Sequence, residues 1–330
     1  MKLVFATQQI DPAHPNLGAA VAMVRALAER VDEVVVFALR AVPGALPANC
    51  RVHQIGASTQ LQRGLRFQSA LAREFRPNLF IAHMSPIYAV LAAPICVPAR
   101  VPIVLWFTHW RPSATLRLAE RVATAVATVD RSSFPFASPK VRAIGHGIDL
   151  AEFPCRPQPA HETLHALALG RTSPAKALES VLAGVRLARE QGTNVELEIR
   201  GPSETDEERA YRARLVELGA NVADAVPRGE LPQVLAGTDV VINAAAAGSL
   251  DKSVFEACAS CVPVLASNPG FASLLPDELR FDRNDPADLA RALAAFAART
   301  DRESLGHELR KRVEAEHSVG HWADAMLALA

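Results

Sequence analysis

The stretch that most narrows what this chain can fold into is residues 240–270, VVINAAAAGSLDKSVFEACASCVPVLASNPG. An apolar, β-branched run at 240–242 reads as a buried strand. A loop of small residues follows at 243–249, then a short helix near 251–259, then a second apolar run at 262–266. Strand, loop, helix and strand with such short connections make a βαβ unit, whose two strands must run parallel. In open parallel sheets a ligand sits just beyond the carboxyl ends of the strands, and residues 244–252 lie at such an end. Alanine and glycine there let a ligand approach the backbone. The following helix aims its positive N-terminus at that ligand. Glu256, inside the helix, could accept two sugar hydroxyls.

The same alternation fills the chain. Strands are expected at 2–6, 32–39, 51–55, 78–82, 103–107, 125–129 and 141–144. Helices are expected at 17–30, 60–75, 87–93 and 116–124. Residues 149–163, DLAEFPCRPQPAHET, carry three prolines and no periodicity, which marks a linker from 151 to 163. The second half repeats the pattern. Its strands are expected at 164–170, 195–200 and near 222. Its helices are expected at 175–190, 204–218, 231–236, 286–298 and 303–316. A short amphipathic helix at 319–329 should pack back on the first half. Two such series imply an α/β protein of two parallel-sheet domains, 1–150 and 164–317, facing a cleft. A length of 330 residues and a hydrophobic half of the composition suffice for two cores.

A formal net charge of zero argues against a nucleic-acid binder that relies on bulk electrostatics. No apolar run is long enough for a transmembrane helix. The segment 1–6 reads as a first strand, not a leader. Five scattered cysteines suit a reducing cytoplasm. Cys258 and Cys261 form a CxxC, yet no second pair or histidine stands at zinc spacing, and the motif closes a helix instead of opening one. Their plain reading is two small buried residues, with no metal.

Gly170 allows a tight exit from its strand, and Pro174 suits a first helical turn. Arg171 and Lys176 then stand where two cations could hold a diphosphate; a solvated pair of surface cations is the other reading. Gly170-Arg171 with Lys176 is similar to the "GR…K" signature of the family 4 glycosyltransferases. Residues 256–264, EACASCVPV, resemble that family's "EAMACGxPV". Gly145-His146-Gly147-Ile148-Asp149 with Phe153 looks like its "NGID…F", and Val101-Pro102-Ile103-Val104 leading to His109 like its "vPvV…H". The four stand in register over nearly the whole chain.

The resemblance implies the GT-B fold, two Rossmann-like domains, and retaining transfer from a nucleotide-sugar, a UDP- or GDP-sugar, with no cofactor or catalytic metal. Carried over by position, Arg171 and Lys176 would bind the donor diphosphate and steady the charge that develops on it. Glu256 would hold the ribose. Gly170 and the backbone of Gly248, Ser249, Leu250, Asp251 and Lys252 would line the donor. His109 would face the donor sugar or the reacting centre, and Gly18 with Ala19 the acceptor and phosphates. The chain departs from the family at Gly248, where a second Glu is usual, at Cys261 for Gly and at His146 for Asn. A nucleotide-sugar 2-epimerase of the same fold and a non-catalytic nucleotide-sugar binder are the competing readings. The acceptor, a glycan, lipid or small molecule, is left open.

Residues 63–76 hold Arg63, Arg66, Arg73 and Arg76 against one acid, Glu74, with Leu65, Phe67, Leu71 and Phe75 interleaved and Leu61 just before them. Such a helix could rest on the anionic inner face of the membrane, or be the solvated face of an ordinary packed helix.

Overall fold

The structure is a computed structural model, and it describes residues 1–14, 17–74, 76–156 and 162–330. Pro15, Phe75 and the part of the expected linker at 157–161 lie outside the described residues. In chain order the elements are β1 (Lys2–Ala6), β2 (Gln9–Ile10), α1 (Ala19–Ala28), β3 (Glu33–Ala38), β4 (Arg40–Ala41), β5 (Cys50–Gln54), α2 (Gln60–Arg73), β6 (Leu79–His83) and α3 (Pro86–Cys96). Then come β7 (Ile103–Trp106), α4 (Ala114–Val122), β8 (Ala125–Thr128), β9 (Val141–Ala143), β10 (Leu164–Leu169), α5 (Leu178–Glu190), β11 (Val195–Arg200), α6 (Asp206–Glu217) and β12 (Asn221–Ala223). The chain ends with α7 (Leu231–Ala236), β13 (Val240–Asn243), α8 (Lys252–Ala259), β14 (Val264–Ala266), α9 (Pro286–Ala297), α10 (Arg302–His317) and α11 (Val319–Leu327).

The chain forms two compact units: Met1–Asp149 with Glu316–Ala330, and Leu150–Ala315. In the first, seven strands stand in the order β5-β3-β1-β6-β7-β8-β9, and every adjacent pair is parallel. Apart from Lys2 and Glu33, which open β1 and β3, and His83, which closes β6, the strands β1, β3, β6 and β7 are apolar because helices cover both faces of a parallel sheet. Phe67 of α2 sits at the centre of an aromatic group with Phe37, Phe80 and Tyr88. Nine of the ten residues of α1, all but Arg25, are buried, since α1 meets both the sheet side and α11. Arg30 and Asp324 pair at the edge of that contact. Trp322 of α11 meets Trp106 edge to face, ring centres 5.7 Å apart.

The turn at Gly145 and Gly147 shows why glycine stands there. Both have positive φ, +76° and +74°. A Cβ on Gly145 would lie 1.9 Å from the Glu316 carbonyl oxygen, and one on Gly147 2.8 Å from Met23. Only a bare backbone passes, and Ile148 then bonds across to His317 and Val319. His146 is buried in this turn.

The second unit has five parallel strands in the order β12-β11-β10-β13-β14. Strand order reverses between β10 and β13, which makes the space beyond their carboxyl ends the topological switch point. The helix expected over 175–190 is shorter. Pro174–Lys176 form one 3-10 turn, Ala177 takes a left-handed conformation (φ 45°), and α5 starts at Leu178. A left-handed residue breaks the helical hydrogen-bond run, so Lys176 lies on the loop and not inside a helix.

Candidate functional site

Four segments leave the sheet at the switch point of the second unit. Gly170 ends β10 with φ +134°, a value that favours glycine. Gly201, at the end of β11, lies so close that a Cβ would be 1.7 Å from the Gly170 oxygen. The Pro174–Lys176 turn then folds back, bringing Lys176 Cε to 3.7 Å from where a Gly170 Cβ would sit. After β13 the chain runs through Gly248, whose φ of +83° suits glycine and would strain a glutamate at that position.

Polar contacts fix these loops. Asn268, fully buried, donates to the carbonyls of Ala246 (2.9 Å) and Ser249 (2.8 Å). Arg283 donates to Ala244 O at 2.9 Å and to Ala175 O at 3.0 Å, tying the two loops together. Asp251 opens α8, but its carboxylate caps none of the first-turn amides. It accepts instead from Asn243 Nδ2 (2.7 Å) and Ser249 Oγ (3.0 Å), and pairs with the Lys176 ammonium.

The expected site residues fall into three charge groups. Lys176, Gly170, Ser249 and Asp251 come together, with Lys252 next in the chain. Arg171 is half exposed and turns toward α6, its Nη1 3.3 Å from Glu208 and 3.8 Å from Glu204. Glu256 is buried and its Oε1 accepts from Arg228 Nη1 at 2.9 Å, with Arg228 also paired to Glu152. Burial works against the Arg228 charge; Glu256 and Glu152 outweigh it and hold the guanidinium above its ordinary value. Lys252 belongs to the same neighbourhood. Burial pushes its ammonium down to about 8, opposed by Glu256 and reinforced by Arg228. Leu250 is buried beneath the loop.

The remaining expected residues are carried by the first unit. His109 follows β7 on an exposed loop; its Nδ1 accepts from Arg111 N (3.1 Å) and its ring stacks on Trp110. Gly18 caps α1 in ordinary right-handed geometry, with Ala19 the first helical residue. At that unit's own switch point, between β1 and β6, Thr7 Oγ1 and His83 Nδ1 lie 3.0 Å apart, both buried. Neither had been singled out, since a Thr and a His 76 residues apart share no local pattern.

Arg228, Glu152, Arg283, Asn243 and Asn268 were also missed. The partners of Arg228 stand 28 and 76 residues away, so no spacing could reveal them. The plain reading of the CxxC holds for Cys258, which is buried and whose thiol burial pushes far up. Cys261 is buried as well, and in addition it is joined by a disulfide that was not expected to Cys155, 106 residues earlier, with Cα atoms 5.1 Å apart. The helix α2 buries Phe67 and Leu71 and exposes Leu61 (74%) and Leu65 (58%). No helix among the described residues is long and apolar enough to cross a membrane.

Residues 181–328 match the family model described as glycosyl transferase-like. Among solved structures, the chain is similar to a sucrose-phosphate synthase of Thermosynechococcus elongatus, at 17% identity and TM-score 0.78, with 99% of this chain and 98% of that one covered. HepE of Anabaena, solved with UDP-glucose, superposes at 16% identity and TM-score 0.76 with both chains covered in full. The chain has the GT-B fold. WaaG, a glycosyltransferase involved in lipopolysaccharide biosynthesis, matches at 14% identity and TM-score 0.70 over 99% of each chain. No curated protein matches the sequence significantly. The family match over residues 181–328 supports a transferase.

Proposed function

We propose that this protein moves a sugar from a nucleotide-diphosphate sugar to an acceptor hydroxyl with retention of configuration. The observation that carries the reading is the switch point of the second unit. There a glycine exit, the Lys176 ammonium and the uncapped N-terminus of α8 lie together. This combination is suited to an anion: backbone amides and the helix dipole favour negative charge, and a lysine adds a mobile cation. A diphosphate arriving there takes over Lys176 from Asp251 and Arg171 from Glu204 and Glu208. Arg228 holds one oxygen of Glu256 and leaves the other for the ribose hydroxyls.

In the transfer, the bond from the anomeric carbon to the phosphate oxygen breaks. The acceptor oxygen bonds to the same face, and its proton goes to the departing phosphate. Arg171 and Lys176 offset the charge that builds on the diphosphate. No metal or cofactor is assigned a step. HepE, solved with UDP and UDP-glucose, favours uracil as the first base to try. The roles implied for His109, Gly18 and Ala19 are part of the same proposal.

The test is a panel of UDP- and GDP-sugars screened by thermal shift, then by nucleotide release with and without acceptors. Release that depends on an acceptor is expected. Conversion of the donor alone indicates epimerisation; binding without turnover indicates a non-catalytic relative. Arg171→Ala removes one charge-assisted contact of about 1.5–3 kcal/mol, so donor affinity should fall about ten- to hundredfold. Unchanged affinity removes Arg171 from the diphosphate site.

A further inference from the structure

We infer that, in the reduced protein, Cys155, Cys261 and His307 form a binding site for one zinc-type divalent ion, with a fourth position open to water. The three side chains offer ligand atoms that all lie within 4.8 Å of one another. The site belongs wholly to the second unit and lies beyond the C-terminal end of α8, away from the loop assigned to the donor.

Each ligand is held in place by the backbone around it. Arg310 of α10 donates to the carbonyls of Phe153 and Leu150 on the segment that carries Cys155. It also donates to Ala259, two residues before Cys261. One guanidinium thus pins both cysteine-bearing segments. Gly306 brings α10 against Cys261 so closely that a Cβ there would be 2.1 Å from the Cys261 oxygen. The next residue, His307, is thereby set beside the thiol, Nδ1 3.4 Å from Cys261 Sγ. A sulfur and a nitrogen sharing a tetrahedral zinc ion stand about 3.5 Å apart, given Zn–S near 2.3 Å and Zn–N near 2.05 Å. Cys261 itself holds a left-handed backbone, φ +61°, that favours glycine, so the thiol is carried at a position where a side chain is strained.

Two thiolates and an imidazole select borderline and soft ions such as zinc over magnesium or calcium. The structure joins the two cysteines as a disulfide, which is the oxidised form of the same pair. Reduction by a dithiol or phosphine breaks the S–S bond with two electrons and two protons and yields two thiols. Metal binding then releases one proton from each thiol. The sulfurs of a zinc site stand about 3.8 Å apart, so the two must separate by under about 2 Å from disulfide contact. Cα atoms 5.1 Å apart permit both states. The remaining cysteines are poor competitors: burial pushes the Cys50 thiol up to about 11 and the Cys96 thiol up to about 12, and Cys258 is fully buried.

The experiment titrates cobalt(II), then zinc(II), into the full chain, anaerobically, after phosphine reduction. One equivalent of cobalt with thiolate-to-metal charge-transfer absorption is expected, displaced by zinc; protein oxidised with diamide should bind none. Cys155→Ser and Cys261→Gly should each lose the absorption. The latter should fold without difficulty, because glycine suits its backbone. His307→Ala, at an exposed position, should bind at least tenfold more weakly. Cys50→Ser should match the parent. Reduced protein that shows no charge-transfer band, a band that survives Cys155→Ser, or an affinity unmoved by His307→Ala would each overturn the assignment and leave the pair a disulfide alone.

Discussion

The buried pair between Arg228 and Glu256 sets the most demanding test. Both side chains are 7% exposed and their contact is 2.9 Å. Arg228→Met keeps the bulk and removes the charge, which leaves Glu256 buried without its donor. Breaking one side of such a pair costs about 3–5 kcal/mol, because the surviving charge has lost both water and partner. Lys252 lies near the same charges and softens the loss, so the lower end of about 3 kcal/mol applies. The second unit has 166 residues. For that size each kcal/mol moves the midpoint about 2–4 °C, so scanning calorimetry should show a fall of about 6–12 °C. Glu256→Gln should cost less, since Arg228 keeps Glu152 and an amide oxygen. The double variant should recover most of the loss. A single-variant drop under about 2 °C, or a double variant no better than Arg228→Met, would refute the reasoning.

Two further outcomes are expected. Burial of His317, with a contribution from His321 and against Asp130, lowers its pKa to about 4 from an ordinary 6.5. The unfolded chain therefore binds the extra proton first, and stability falls as pH drops from about 6.5 toward 4. Urea midpoints at pH 7.5 and 4.5 should differ less in His317→Gln; an equal difference would remove His317 as the cause. Gly201→Ala forces a methyl against the Gly170 carbonyl, 1.7 Å away. Backbone on both sides cannot yield cheaply, so a loss of about 1–3 kcal/mol and weaker donor binding should appear together in calorimetry and titration. A variant normal in both would show that the β10 exit is not held by this contact.

Much of the fold was legible in the chain. The β-branched runs at β3, β7 and β13 mark buried parallel strands. The Gly145–Gly147 turn and the loop between β13 and α8 announce themselves by composition. These signals are local: periodicity and turn chemistry depend on residues within a few positions of each other. Ala177 escaped because nothing about an alanine predicts a left-handed break; the loop held by Arg283 imposes it. Arg228 with Glu256, Thr7 with His83, and Cys155 with Cys261 and His307 escaped for a related reason. Each group is assembled by parallel crossovers that bring distant segments to one sheet edge or one helix face, and no spacing along the chain records that. The order of strands and helices, the parallel architecture and the glycine exits were thus decided by the sequence alone. Which charges meet, which carboxylate a cation faces, and which cysteine finds a partner were decided only by the tertiary structure, since those contacts exist only after the chain has closed on itself.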